Sequence, residues 1–416
     1  MISHLIRVLA ILLGLCLASA AAAEDLIVSR AVFEDKDGLL TIAEATRQQF
    51  SPMGSILSEG YSGSAYWLRL QVRAPVKGDE VVLRIGPTLL DEVRLFEAGE
   101  QDPKEWITRV TGDRYAYEDR DRKDIALGFV VNVPAPEKTF YLRIKTTSAS
   151  QITVEGLEPV QANRKGKQTD LLRNIFIGLM VWALVWAIDH YIVGRQAVVG
   201  YFALYQGIYM LYGLSATGYL APFIHYDFPQ LADWLSKILT CAVPFVFLLF
   251  SRTALKPYAP PWLKGFTLLL MAFPIQLVAL ALDYTLVALS MATLVSIAAP
   301  WYCVLLAFAA KNEGVPSRRT LQATYIVIGL IATLFGLTDY GWITLFQTGA
   351  KNVWVLLTGG VVISSLLSSL LFLHLRQLRR DAQQSSFTLV QSQQALEIER
   401  THKEQAQADA RTDYLT

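Results

Sequence analysis

Leu171 to Val193 reads LLRNIFIGLMVWALVWAIDHYIV. As an α-helix rising about 1.5 Å per residue, this run is long enough to cross the ~30 Å hydrocarbon core of a bilayer. Six further apolar stretches of similar length follow: Val198 to Ala216, Leu231 to Phe250, Trp262 to Leu282, Leu286 to Ala309, Leu321 to Phe346 and Val353 to Leu375. The expectation is a bundle of seven membrane spans over residues 170–376. An odd number of spans puts the two ends of the bundle on opposite sides of the membrane. Composition agrees, since 53% of the 416 residues are apolar and 18% are charged, against about 25% charged in an average protein. A net charge of +1 with pI near 7.7 provides no basic field for nucleic acid, so no nucleic-acid partner is expected.

Upstream of the spans the hydrophobic period is two. Tyr66-Trp67-Leu68-Arg69-Leu70-Gln71-Val72-Arg73 alternates apolar with polar residues, and Glu80 to Ile85 and Asp91 to Phe96 do the same. Such alternation marks half-buried strands. Ile125 to Val133, Thr139 to Lys145 and Gln151 to Leu157 continue the series, separated by turn chemistry such as Pro134-Ala135-Pro136. Residues 24–169 are therefore expected to form a two-sheet antiparallel sandwich. Residues 1–23 read as a signal peptide: Arg7, an apolar run from Val8 to Leu17, and the small residues Ala21-Ala22-Ala23 before Glu24. Cleavage there would export the sandwich. Cys16, Cys241 and Cys303 all lie in apolar runs, so neither a disulfide scaffold nor a metal site is expected.

Export of the sandwich requires the first, third, fifth and seventh spans to deliver the chain to the cytoplasm, and basic residues test this. The segments that would face inward hold Arg195, then Arg252, Lys256 and Lys264, then Lys311, Arg318 and Arg319, then Arg376, Arg379 and Arg380. Those that would face outward hold Lys351 alone. That asymmetry places the carboxy terminus in the cytoplasm.

Aromatic residues supply the candidate ligand contacts, because flat rings stack on sugars and other flat molecules. Trp67, Trp106, Tyr115, Tyr117 and Tyr141 are the candidates. Trp67 sits where a strand buries a core residue, whereas Trp106, Tyr115 and Tyr117 fall in loop-like sequence. The charged run Asp113 to Asp124 lacks the glycine of a calcium loop and reads as a solvated loop. Asp189, His190, Lys237, Asp283 and Asp339 lie in or near spans, where ionisable groups are costly. Most are within reach of a span end. Ser364, Ser365, Ser368 and Ser369 in the seventh span suit close helix packing. No catalytic constellation, phosphate loop or metal-ligand cluster is evident, so no enzymatic activity and no cofactor is expected of residues 1–416.

Beyond Leu375 the positions Leu378, Ala382, Ser385, Leu389, Ser392, Leu396, Glu399 and Lys403 alternate spacings of four and three. This is a heptad seam continuing the last span through residues 377–411, and it calls for a partner strand, most simply a parallel homodimer.

Three features together resemble the bacterial seven-transmembrane receptors with diverse intracellular signalling modules. YWLRLQV (Tyr66 to Val72), LLDEVRLFEAG (Leu89 to Gly99) and FYLRIKTTS (Phe140 to Ser148) are similar to that family's type-two extracellular domain. Gly178, Arg195, Tyr201 and Tyr205 resemble its pattern of a glycine-bearing span, a basic turn and spaced tyrosines. Ala410, Asp413, Leu415 and Thr416 resemble the opening of a GGDEF domain. The resemblance implies a periplasmic jelly roll likened to carbohydrate-binding modules, a seven-helix bundle in the bacterial inner membrane, and a cytoplasmic coil. It further implies an output domain, beginning at residues 412–416, that makes cyclic di-GMP from GTP with magnesium. Magnesium and GTP would belong to that domain, and the chain reads as cut off at its threshold. The extracytoplasmic ligand is unknown from sequence.

Other outputs remain open. A histidine kinase is one, although His402 lacks the acidic residue, arginine and proline of a phospho-acceptor box. A transporter or channel with an exported sugar-binding cap is another, and a decoy that dimerises with longer relatives is a third.

Overall fold

The computed structural model describes residues 24–413 except 100–104, 135, 225–227, 229, 259, 312–313 and 344–349, and describes 350–356 and 404–413 by backbone alone. The proposed signal peptide and Leu415-Thr416 lie outside the described residues. The alternating stretches form ten strands: β1 (Ile27–Asp35), β2 (Ser51–Pro52), β3 (Ile56–Gly60), β4 (Ala65–Arg73), β5 (Glu80–Gly86), β6 (Glu92–Ala98), β7 (Trp106–Thr111), β8 (Leu127–Asn132), β9 (Glu137–Lys145) and β10 (Ser150–Leu157). They build a six-stranded sheet ordered β2-β1-β4-β9-β6-β7 and a four-stranded sheet ordered β3-β10-β5-β8. Every pairing is antiparallel.

Between the sheets lies a core that includes Leu68, Leu70, Leu83, Ile85, Phe129, Phe140 and Leu142, none more than 1% exposed. These are the inward members of the period-two pattern. Strands β1, β2, β3 and β7 are additions to the sequence reading, and each has a reason for being quiet; β2 is only two residues long. A bulge between Ile27 and Ser29 breaks the period of β1. Strands β3 and β7 are sheet edges with little buried alternation.

Strand β10 ends at Leu157, and after Glu158 the helix α2 (Pro159–Gly194) begins; a one-turn α1 (Ile42–Ala45) precedes it in the sandwich. Pro159 suits the first turn of α2, where its missing N–H removes no hydrogen bond. There follow α3 (Ala197–Ala216), α4 (Leu231–Leu255), α5 (Gly265–Leu270), α6 (Ala272–Ala281), α7 (Thr285–Phe308), α8 (Arg318–Asp339) and α9 (Ala350–Asp413). Among the described residues six helices are long and apolar enough to cross a membrane, and the fourth expected span is instead the shorter pair over Gly265–Ala281. It breaks at Met271, four residues after Thr267 and three before Pro274, whose ring displaces the carbonyl that an unbroken helix would place one turn earlier.

Phe176, Met180, Phe202, Tyr205, Phe247 and Tyr325 lead the bundle core. On α9 two glycines permit close packing: a Cβ at Gly360 would lie 2.1 Å from the Tyr209 ring and one at Gly359 2.4 Å from Phe335. Ser364 is buried and donates to Gln206 Oε1 at 3.0 Å. The helix then runs unbroken to Asp413.

Phe129→Ala removes a ring buried between the sheets and is expected to destabilise the sandwich by about 3–5 kcal/mol. Denaturant unfolding of the purified chain, followed by tryptophan fluorescence, measures it.

Candidate functional site

The five aromatic candidates separate into two groups. Trp67, Trp106 and Tyr141 meet on the outer face of the six-stranded sheet, beside Phe50 and Phe96. Trp67 is 0% exposed; its ring stacks on Phe96 at 5.3 Å and its N–H donates to Asp35 at 3.4 Å. Burial leaves it no face for a ligand, so it supports this patch from beneath. Trp106 is half-buried and stands edge-on to Tyr141 at 5.7 Å. Tyr141 in turn meets Phe50 at 6.0 Å. Trp106 and Tyr141 are the two of this group that keep partly open rings.

Tyr115 and Tyr117 lie outside this patch, on the segment after β7 that reaches the helical bundle. Tyr115 donates to Glu92 at 2.9 Å, and the Arg120 guanidinium sits 5.3 Å from the Tyr117 ring centre. Both line a crevice between sandwich and bundle together with Thr88, Ser215 and Gly218. The run Asp113 to Asp124 is therefore only in part the solvated loop expected from its charge: Arg114, Glu118, Asp119, Asp121 and Lys123 are exposed, whereas Asp113, Ala116 and Arg120 are buried. Asp113 is 8% and Arg120 6% exposed, because the run is pressed against the outer ends of the helices.

An ionic network fastens that contact. Arg114 bridges Asp91 of the sandwich, at 2.6 Å, to Asp233 in the first turn of α4, at 3.3 Å. Lys237, one turn further along α4, pairs with Asp233 at 2.6 Å. Thr147 holds Asp91 through its hydroxyl at 2.9 Å. Asp113 completes a group of three carboxylates whose oxygens lie within 4.8 Å of one another. Their spacing suits a cation, and Arg114 and Lys237 already supply two positive charges there. Burial pushes the Asp113 carboxyl well above the usual range, with Asp233 and Asp91 adding repulsion. Burial likewise raises Asp91, against the pull of Arg114.

Sequence reasoning named Lys237 without its partner. The Asp233–Lys237 spacing of four on a helix was the available signal; the contribution of Asp91 and Arg114 depends on docking.

Other contacts complete the junction. Thr88 donates to the Ala216 carbonyl at 3.0 Å, and Gln151 donates to that of Thr338. Tyr61 shares a hydrogen bond with the Thr293 hydroxyl at 2.8 Å and packs edge-on to Tyr340 at 5.6 Å. Beneath lies a cavity of about 140 Å³ lined by Tyr205, Tyr209, Tyr212, Thr293 and Asp339. Of the remaining ionisable candidates, Asp189 and Asp283 are exposed, and His190 Nδ1 lies 2.9 Å from the Trp186 carbonyl.

Two profiles of one receptor family match in tandem. "7TMR-DISM extracellular 2" covers residues 29–156, the sandwich, and "7TM diverse intracellular signalling" covers 169–375, the helices. The chain belongs to the 7TMR-DISM family. It is thus a multi-pass transmembrane receptor with an extracellular sensing domain joined to a seven-transmembrane signalling domain, and the broken pair α5–α6 takes the place of the fourth span. No curated protein matches it. Among solved structures, the "Bacteriophage CBA120 tailspike protein 4 enzymatically active domain" aligns at 11% identity over 32% of this chain and 18% of that chain, with a TM-score of 0.14. A likeness that low bears on neither fold nor function.

The raised carboxyl of Asp113 gives the receptor junction a pH signature. Folding favours its protonated form, so its contribution to stability is complete below the unfolded value of about 3.9 and is lost as pH rises through the folded value. Asp113→Asn, which stays neutral, is expected to raise the thermal midpoint at pH 8 and to leave it nearly unchanged at about pH 4. Differential scanning of both proteins across that range checks the sign.

Proposed function

We propose that this receptor senses a ligand on its exported sandwich and drives a cytoplasmic diguanylate cyclase by rearranging a parallel dimer of α9. The observation that carries the reading is the continuity of α2. Its buried residues, Ala162, Gly166, Thr169, Arg173, Phe176, Met180, Ala183 and Ala187, follow spacings of four and three from the sandwich into the bundle. Ala162 packs on Val82 and Leu157 of the four-stranded sheet. Met180 meets Ser364 of α9, the hydroxyl lying 3.8 Å from its sulfur. With Glu158 as the sole residue between β10 and α2, a shift of the sandwich has no flexible linker in which to dissipate. A ligand that binds one arrangement of the sandwich more tightly would shift the populations of both helices.

Past the bundle, α9 exposes Leu389 at 63% and Leu396 at 60%. A lone helix gains no core from such residues, whereas a parallel second copy would bury them. The Asp413-x-Leu415-Thr416 resemblance supports a GGDEF output, whose GTP and magnesium would be held by that domain. Catalysis would then depend on bringing two half-sites together. The distribution of basic residues supports an inner-membrane protein with the part of α9 beyond Leu375 on the cytoplasmic side. Trp106 and Tyr141 support a flat, carbohydrate-like ligand.

Leu389→Cys and Leu396→Cys should each give disulfide-linked dimers in membranes, with an exposed off-seam control such as Gln383→Cys giving far less. Extended through a GGDEF domain, the receptor should change its cyclic di-GMP output when four residues are inserted near Leu389. Equal output with and without the insertion would remove the coil from the mechanism.

A further inference from the structure

A second crevice at the junction contains two guanidiniums that the ionic network does not use. Arg84 projects from the outer face of the four-stranded sheet, on β5, and Arg173 from the buried seam of α2. Both line a cavity of about 60 Å³, together with Thr88, Thr153, Thr169, Thr217 and Glu155, whose carboxylate is held by Lys165. Arg173 is 4% exposed. It pairs with Asp170 at 2.6 Å and donates to the Thr217 carbonyl at 3.3 Å, yet its Nε has no hydrogen-bond partner among the described residues. Arg84 Nη1 is buried and likewise without a partner there.

The surrounding charges show what is missing. Arg84, Arg122, Lys165 and Arg173 face Asp124, Glu155 and Asp170. Each carboxylate is already taken: Asp124 by Arg122 at 2.9 Å, Glu155 by Lys165, and Asp170 by Arg173. Of these four cations, Arg84 alone has no ion pair among the described residues. The two arginines also repel each other. Burial lowers the pKa of the Arg84 guanidinium, as expected for a charge taken from water. An unpaired buried cation is costly, and an anion in the crevice would offset that cost.

We propose that this crevice binds a small monoanionic oxyacid group, such as a carboxylate, between Arg84 and Arg173. One excess positive charge selects a monoanion. The guanidiniums of Arg84 and Arg173 both line the cavity, and N–H donors from two separate forks match an acceptor with two or more oxygens. A water needs about 10–15 Å³ of such space, so the cavity has room for a group of a few heavy atoms. The bound group would tie β5 of the sandwich directly to the first span. This assignment concerns binding alone and stands or falls whatever the output domain is.

The group has two possible sources, a free acid and a phospholipid headgroup. The whole chain, purified in phospholipid-free maltoside micelles, is heated at a fixed rate in sodium acetate, in sodium phosphate at pH 6, and in sodium chloride of equal ionic strength. A parallel series adds phosphatidylglycerol. Acetate or phosphate should raise the thermal midpoint by several degrees over chloride; the shift should vanish in Arg84→Gln and shrink in Arg84→Lys, which keeps the charge without the fork. Arg84→Gln should itself melt higher in chloride, since it removes an unpaired buried charge. If phosphatidylglycerol alone produces the Arg84-dependent shift, the oxyanion is a lipid headgroup. Identical responses of the wild type and either folded variant to every anion would overturn the assignment.

Discussion

The buried seam of α2 has to satisfy two environments in one helix. Over its first turns small residues, Ala162 and Gly166, allow the outer face of the four-stranded sheet to approach. Further along, Phe176 and Met180 fill the bundle core. Between them Arg173 is buried and held by Asp170 and the Thr217 carbonyl. Because these positions lie on one face at spacings of three and four, the helix cannot rotate to improve one contact without disturbing the other. The relative placement of sandwich and bundle follows from this constraint.

The remaining junction contacts are distributed around that axis. Arg114 and Asp233 tie the segment after β7 to α4, Thr88 reaches the end of α3, and Tyr61 reaches α7. Backbones come very close around Gly60 and Gly341; both have positive φ, at 64° and 77°, and a side chain at Gly60 would strike the Tyr340 backbone while one at Gly341 would strike that of Gly60. Buried ion pairs contribute less to stability than their Coulomb attraction suggests, because desolvation opposes it, but they penalise misalignment strongly. A junction of this kind suits an interface that must adopt a defined geometry and be able to change it.

Much of the architecture was legible in the sequence. The strands around Leu68, Leu83 and Leu142 announced themselves by period two, and the spans by sustained hydropathy, because both signals are local and repeated. The break at Met271 was not legible, since Pro274 by itself is compatible with either a kink or a stop. Trp67 and Trp106 illustrate the limit for ligand contacts. Both are tryptophans in the sandwich, and the difference in exposure between them arises from Phe96 and Phe50, which neighbour them through sheet pairing and loop packing, not through sequence.

The sequence by itself determined the central strands, the long apolar spans and the polar helix that follows them, and the family in which that order occurs, because hydrophobic periodicity is encoded within a few residues. Only the tertiary structure decided that Asp113 and Arg120 are buried, that Arg114 joins Asp91 to Asp233, and that Arg84 faces Arg173. The partners in these contacts stand 23 to 119 positions apart in the chain, and their charges acquire meaning through desolvation and proximity, which depend on how the sandwich docks against the helices.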